Sequence, residues 1–114
     1  MLDENYDFHR RVMENHVVFD LVGRVVCVDN KIKGYTFGTA LNDKVFCVIL
    51  EVVDLNMKGL ASYISREFCN DVSLRRFAFI NAMDDSEIMS LRLAKMSYHP
   101  TILMPSYVVR RKIL

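Results

Sequence analysis

Neither sign of charge is in excess in this chain: fifteen lysines and arginines stand against fourteen aspartates and glutamates, a formal charge of +1. That near balance removes the electrostatic argument for a nucleic-acid binder or a generally membrane-adhering protein. No run of about eighteen apolar residues exists, so no segment reads as a membrane span. The N-terminus, Met1-Leu2-Asp3-Glu4-Asn5-Tyr6-Asp7, is acidic where a secretory signal is basic and then apolar. Cysteine is scarce too. Cys27, Cys47 and Cys69 are an odd number at wide spacing with no C-x-x-C pair, which reads as reduced core thiols in a cytoplasmic protein. The three histidines, His9, His16 and His99, show no metal-ligand spacing with each other or with the cysteines, so no metal is expected.

Punctuation is equally sparse. The two prolines, Pro100 and Pro105, lie near the end, the four glycines in the middle, and there is no repeat, low-complexity tract or Pro/Gly/Ser linker. The 114 residues therefore read as one domain, 1–114. What is abundant is apolar surface: 52% of residues are hydrophobic, enough to close a core, which excludes intrinsic disorder.

Residues 3–15 are polar with apolar positions at Tyr6, Phe8, Val12 and Met13, the pattern of a short amphipathic helix that Asp3 can cap. From Val17 the texture changes. Val17–Val28, Ile32–Leu41 and Lys44–Val53 are rich in Val, Ile, Phe and Cys, separated by Asp29-Asn30 and Asn42-Asp43, dipeptides that suit tight hairpin turns. These segments predict a three-stranded antiparallel meander. Its third member, Val45-Phe46-Cys47-Val48-Ile49-Leu50, is continuously apolar, as a central strand covered on both faces must be. Leu60, Ile64 and Phe68 then recur every four residues and predict a helix over 58–70. Phe77-Ala78-Phe79-Ile80 predicts a short buried strand. Asp84, Asp85 and Ser86 supply cap chemistry for a helix over about 85–98, which Pro100 stops. The β-branched tail Thr101–Leu114 reads as a last strand, with Pro105 arguing for an edge or a bulge. The expected class is α/β (α+β): a mixed sheet made of a meander followed by β-α-β-α-β, with helices packed on it.

Chemistry concentrates first at the turn out of the third strand, Glu51-Val52-Val53-Asp54-Leu55-Asn56-Met57-Lys58-Gly59-Leu60-Ala61. A glycine there lets backbone approach a ligand, and the free amides of the following helix can bind phosphate. The plainer alternative is a glycine that eases a tight turn. In acyltransferases of the GNAT fold, the strand before this helix ends in Gln/Arg-x-x-Gly-x-Gly/Ala, whose amides hold the pyrophosphate of coenzyme A. Asn56-Met57-Lys58-Gly59-Leu60-Ala61 resembles that motif, with Asn in place of Gln/Arg. The resemblance implies acyl-coenzyme A as cofactor, bound by Val53, Asn56, Met57, Lys58, Gly59, Leu60 and Ala61. The element order is similar to the GNAT fold from its second helix onward, without the usual first strand and helix.

A second run is more specific. Ile80, Asn81, Asp85, Leu91, Arg92, Ala94, Lys95, Ser97, Tyr98 and Pro100 match, without a gap, the pattern I-N-R-E-x-D-L-G-x-x-G-L-R-K-A-K-x-S-Y-x-P. That pattern belongs to bacterial proteins related to the C-terminal domain of phosphatidylglycerol lysyltransferase, and Gly34-Tyr35-Thr36-Phe37-Gly38 resembles the A-F-T-I-G strand of the same family. The resemblance implies acyl or aminoacyl transfer, from acyl-coenzyme A or aminoacyl-tRNA, to an amine or to a lipid. Two departures stand out: the family's Arg-Glu after Asn is Ala82-Met83, and its Leu-Gly is Ser86-Glu87, so charge-assisted substrate contacts are missing. Family members carry two such units, and this chain looks like the back part of the second. It reads as a fragment, a truncated product, or a subunit completed by a partner.

The candidate catalytic residues are Tyr98 and Glu51. Tyr98 lies four residues after Ala94, as the general-acid tyrosine does in many GNAT enzymes, and its hydroxyl can return a proton to a departing thiolate. The alternative is a packed tyrosine bonded to backbone. Glu51 is placed to act as a base at the end of the central strand, or else is solvated or ion-paired. Asn81 and Arg92 match the family as substrate-binding residues; a turn and a surface ion pair are the alternatives. Arg110-Arg111-Lys112 suits anionic lipid or tRNA, or merely guards a strand edge. The seven methionines read as core filler. The rival to an enzyme is a non-catalytic assembly module of the same fold, whose half-open sheet calls for a homodimer or a partner chain.

Overall fold

A computed structural model of the chain describes residues 2–83, 89–105, 107 and 109–112. Residues 1–83 form one compact unit and residues 84–114 a second.

The first unit opens with helix α1 (Leu2–Glu14). Val12 is its buried anchor, and the exposed face carries Arg10 between Asp7 (3.2 Å) and Glu14 (3.7 Å), ion pairs worth little in water. Three strands follow, β1 (Val22–Val28), β2 (Lys31–Ala40) and β3 (Val45–Val53), paired antiparallel in that order. Asp29 and Asn30 close the first hairpin, both in the left-handed region (φ 52° and 64°), as the sequence leads one to expect. The second connection is longer. There the Asn42 side-chain oxygen accepts the amides of Lys44 and Val45, so Asn42 works by local bonding and not by left-handed backbone.

Val17–Leu21 departs from the expected strand. These residues wind out of α1 as a turn, with Phe19 N–H donating to Asn15 and Leu21 N–H to His16. The cause is topological: β1 enters the ladder at Val22 opposite Gly38, and just beyond, the Thr39 hydroxyl donates to the Phe19 and Asp20 carbonyls. With β2 nearly finished, β-branched propensity at Val17 and Val18 has no strand to pair with.

After β3 the chain passes through a turn into α2 (Leu60–Cys69), a short 3₁₀ turn (Val72–Leu74) and β4 (Phe79–Asn81), which runs parallel to β3. The sheet order is β1-β2-β3-β4. Leu60, Ile64 and Phe68 form the buried stripe of α2, the four-residue spacing read from the sequence. Phe68 meets Phe46 edge to face at 5.7 Å, and Leu74, Phe77 and Ile80 close the cluster. On the sheet, this helix covers the face that carries the small residues Gly34, Thr36 and Gly38 of β2. A Cβ on Gly38 would lie 2.5 Å from the Phe46 ring and 2.5 Å from the Cys47 carbonyl oxygen, so the helix-side core closes only because that position is bare. The opposite face shows Tyr35 and Phe37 beneath α1.

Two irregularities shape β3. Phe37 pairs with Leu50 but Gly38 with Val48, which makes Ile49 the extra residue of a bulge. And β4 pairs only with the beginning of β3, Val45, Phe46 and Cys47 opposite Phe79, Ile80 and Asn81. Beyond Cys47 that edge of β3 has no strand beside it among the described residues.

The second unit holds α3 (Met89–Met96). The cap assigned to Asp84, Asp85 and Ser86 lies outside the described residues. After the helix, the Ser97, Tyr98 and His99 amides donate to Leu93, Lys95 and Met96, and the described residues of the tail carry no strand. This corrects the last strand of the expected order: Pro100 and Pro105 remove two amide donors, and β-propensity alone forms no ladder. The thiols also differ from expectation. Only Cys47 is buried; Cys27 and Cys69 are exposed, Cys27 on the sheet's edge strand and Cys69 at the last position of α2. No helix among the described residues is long and apolar enough to cross a membrane.

Candidate functional site

The turn from β3 to α2 is built by Asp54. Its carboxylate accepts the Asn56 amide at 3.0 Å, its carbonyl accepts the Met57 amide, and its own amide donates to Lys33 across the strand pair. Lys33 Nζ stands 3.4 Å from the same carboxylate. The Asn56 amide, and then Lys33, hold the Asp54 carboxyl below its ordinary pKa, so it is ionised at neutral pH.

Gly59 is the pivot. It sits at the cap of α2 with φ 83° and ψ −3°, in the left-handed region that favours glycine, and no side chain caps the helix. The Leu60 amide donates to Met57 and the Tyr63 amide to Gly59, which leaves those of Ala61 and Ser62 without a partner among the described residues. A Cβ built on Gly59 meets nothing within 4 Å, so the space at the cap position itself is open. Beside it lies an open cleft of about 340 Å³, lined by Met57, Lys58, Gly59, Leu60 and Tyr63 and, across it, by Val26, Cys27 and Val28 at the end of β1. Free amides at the positive end of a helix, a nearby lysine and an open approach suit an anion. Asp54 opposes an anion there, and Lys33 offsets that charge.

Of the residues singled out from sequence, Val53 through Ala61 thus share one turn. Val53 pairs with Gly34 on the sheet, Leu60 is buried in the core, and Asn56, Lys58, Gly59 and Ala61 are exposed. Glu51 lies two residues before Val53 and faces α2, where it accepts a 2.6 Å hydrogen bond from the Ser65 hydroxyl. Asn81 ends β4, and its side-chain oxygen accepts the Met83 amide at 2.8 Å, so it shapes the turn at Met83 (φ 64°). Tyr98 and Arg92 belong to the second unit. Tyr98 is half exposed in the turn that ends α3, and Arg92 is exposed on the helix.

Sequence reasoning passed over three participants. Asp54 carries a readable signal, an Asp two residues before the amide it accepts, directly after an apolar strand. Tyr63 follows Gly59 by one helical turn. The third is His9, whose Nδ1 lies 2.8 Å from the Tyr35 hydroxyl; the two are 26 residues apart, and no spacing rule links them.

No family model matches the chain, and no curated protein does. Solved structures do. A conserved protein of unknown function from Bacteroides thetaiotaomicron is 32% identical, with a TM-score of 0.77 over 82% of this chain and 31% of that one. An aminoglycoside acetyltransferase from an uncultured soil sample, in complex with sisomicin, is 18% identical, with a TM-score of 0.62 over 82% of this chain and 66% of its own. An aminoglycoside N-acetyltransferase in complex with coenzyme A aligns at 11% identity and a TM-score of 0.65, covering 97% of this chain and 92% of that one. The chain spans about a third of the Bacteroides protein and just under two thirds of the soil enzyme. The fold is therefore that of the GNAT acetyltransferases, as the order of strands and helices leads one to expect. Between 11% and 18% identity, the acetyltransferases show the fold alone.

Proposed function

We propose that this chain is an acyltransferase-type unit whose β3–α2 turn holds the anionic part of an acyl donor. The observation that carries the reading is the left-handed Gly59, with open space at its Cβ position, at the start of a helix whose Ala61 and Ser62 amides have no partner among the described residues. The unpaired edge of β3 beyond Cys47 leads toward the same turn. Such a site works by positioning and by fixed amide dipoles, not by covalent chemistry. Within this reading Lys58 adds charge to the donor's phosphates, Glu51 is the group offered for proton transfer and Asn81 for substrate contact; Tyr98 and Arg92 belong to the second unit and enter the reading through the family resemblance alone. The finer assignment, to the phosphatidylglycerol lysyltransferase C-terminal type, is supported by the run Ile80–Pro100; it makes aminoacyl-tRNA the alternative donor and a lipid the acceptor.

The test is thermal unfolding with coenzyme A and acetyl-coenzyme A. A hundredfold excess over Kd stabilises by about 2.7 kcal/mol, a shift of roughly 10 °C for a chain of this size. Gly59→Asn keeps a residue that tolerates left-handed backbone but fills the open space, so the variant keeps its stability and loses the shift. A full shift in Gly59→Asn refutes the turn as the site, and no shift in the wild type refutes an acyl-coenzyme A donor.

A second reading, a non-catalytic assembly module that dimerises or completes a partner chain, draws on one observation: β1 is an edge strand with exposed Val25 and Cys27. A dimer by light scattering, together with no response to either ligand, favours it over the enzyme.

A further inference from the structure

On the face of the sheet opposite α2, α1 lays His9 over Tyr35. Nδ1 and the phenol oxygen are 2.8 Å apart, and the rings meet edge to face at 6.0 Å and 82°. Tyr35 stacks edge-on against Phe37 at 5.9 Å, which fixes its ring. Tyr35 also lines an open cleft of about 310 Å³ at the start of β2 and the end of β3, together with Lys33, Val52 and Asp54 on its own face and Ile32, Gly34 and Val53 on the other. Strand alternation puts Tyr35, Lys33, Val52 and Asp54 on one face: Tyr35 pairs with Val52, and the Asp54 amide donates to the Lys33 carbonyl two residues on. The cleft is small, apolar-walled, and provided with a phenol, an ammonium and an ionised carboxylate. Asp54 also forms the first bend of the β3–α2 turn, so this cleft and the proposed donor site meet at one residue. Along the strand, the backbone of Tyr35 stands opposite Val52, two residues or roughly 7 Å from Asp54. A phenylalanine would serve packing as well; a phenol held on a histidine is a proton-handling pair.

We propose that this cleft receives the acyl acceptor, a primary amine, with Tyr35 touching it and His9 acting through Tyr35 as the base. The assignment rests on the acyl-transfer reading above. The amine, as its free base, attacks the thioester carbonyl; the C–N bond forms and the C–S bond breaks. Its surplus proton passes to the phenol oxygen as the phenol's own proton moves to His9 Nδ1, so Tyr35 ends unchanged and His9 becomes imidazolium. The thiolate leaves and takes a proton from water, and His9 returns its proton to solvent. Burial holds the Tyr35 pKa above its ordinary value, which keeps the phenol protonated until that exchange. Asp54 favours acceptors that carry a second positive charge, with the long Lys33 contact of 3.4 Å as the pairing they displace. Tyr35 is the catalytic residue in this scheme, and His9 is a positioning residue that holds the proton.

The experiment uses the 114-residue chain, acetyl-coenzyme A and 1,4-diaminobutane as the probe amine, with thiol release followed by colour. His9→Ala, a favourable helix residue at a half-buried helix position, is expected to lower kcat by about 10²-fold or more with KM for acetyl-coenzyme A unchanged. Imidazole added to the medium restores that variant, which no structural role of His9 would produce. Tyr35→Phe keeps the ring contacts and loses the same rate, and imidazole does not rescue it. Wild-type kcat in both variants, or a His9→Ala loss that imidazole does not relieve, overturns the assignment. So does a wild type that binds coenzyme A but turns over no diamine, and in that case the donor site stands. No coenzyme A shift at all is instead the failure of the donor reading.

Discussion

Asp71→Asn isolates one charge at the end of α2. The carboxylate accepts Arg24 Nε at 2.7 Å and Arg24 Nη2 at 2.9 Å, a two-pronged pair that ties β1 to the helix's exit. It also accepts the Ser73 hydroxyl (2.7 Å) and amide (3.0 Å), capping the 3₁₀ turn. The Ser73 hydroxyl, then the Ser73 amide and Arg24, push the Asp71 pKa down from 3.8 to about 2. At about 1.4 kcal/mol per unit, a fall of nearly two units corresponds to roughly 2.5 kcal/mol. The pair is open to water, with the Arg24 side chain 48% exposed and that of Asp71 19%, so screening reduces the contribution to about 1 kcal/mol. The folded pKa lies below the unfolded one, so this stability is complete above pH 3.8 and is lost as pH falls toward 2. Asparagine's one oxygen still accepts the Ser73 amide, which preserves the cap, while the charge and the second acceptor for Arg24 are lost. Urea unfolding of both proteins should show a gap of about 1 kcal/mol at neutral pH that closes across that acid window. A gap that stays constant from neutral to acid pH, or none at neutrality, would refute the electrostatic account of the pair.

Gly38→Ala is expected to destabilise by about 1–3 kcal/mol, because its Cβ would meet a backbone carbonyl and the Phe46 ring at 2.5 Å and the carbonyl cannot rotate away; an unchanged urea midpoint would show that the small-residue face of β2 is not needed. Phe68→Ala removes a ring that is only 2% exposed and packed on Phe46, and should cost about 3–5 kcal/mol. Phe68→Leu, with a much smaller loss, serves as the control that separates volume from fold, and equal losses in both would contradict the packing argument.

The legible part of this fold is what local chemistry dictates. Leu60, Ile64 and Phe68 announced α2 by spacing, Asp29-Asn30 announced a left-handed hairpin, and the apolar run of β3 announced a central strand. The bend at Gly59 was legible as well, since a glycine between an apolar strand and a periodic helix has few other uses. What failed was set by neighbours far along the chain. Val17 and Val18 have strand composition, but whether they enter the sheet depends on Thr39, some twenty residues later, which binds the carbonyls of the turn instead. Cys27 and Cys69 look like core residues by type, and only the edge position of one and the helix end of the other expose them. Glu51 shows the same limit in the site. Its place at the end of a central strand suggested a base, yet which side chain meets it, Ser65 of α2, follows from the bulge at Ile49 that precedes it. The His9–Tyr35 pair is the extreme case, for neither residue carries a motif and only the packing of α1 on β2 makes them a unit.

The proposed chemistry places its two halves on opposite faces of the same strand, and the end of β3 is where a sheet permits that. Val53 and its partner Gly34 lie toward α2, Val52 and Asp54 lie on the face of Tyr35, and all four line the cleft at the strand ends. An acyl group delivered on one side can reach an amine on the other only around a strand edge, since the paired edge toward β2 is closed by hydrogen bonds. The free edge is the opposite one, from Val48 onward, where β4 no longer accompanies β3 among the described residues. Unpaired strand amides and carbonyls there suit an extended, amide-bearing donor, which would lie along the edge as an added strand does. Closing that edge should therefore block transfer while leaving anion binding at Gly59 intact. Val48→Pro removes an amide donor without touching the turn, and it should keep the coenzyme A thermal shift largely in place while abolishing thiol release with the diamine. Unimpaired turnover in that variant would mean that the donor reaches the acceptor by another route.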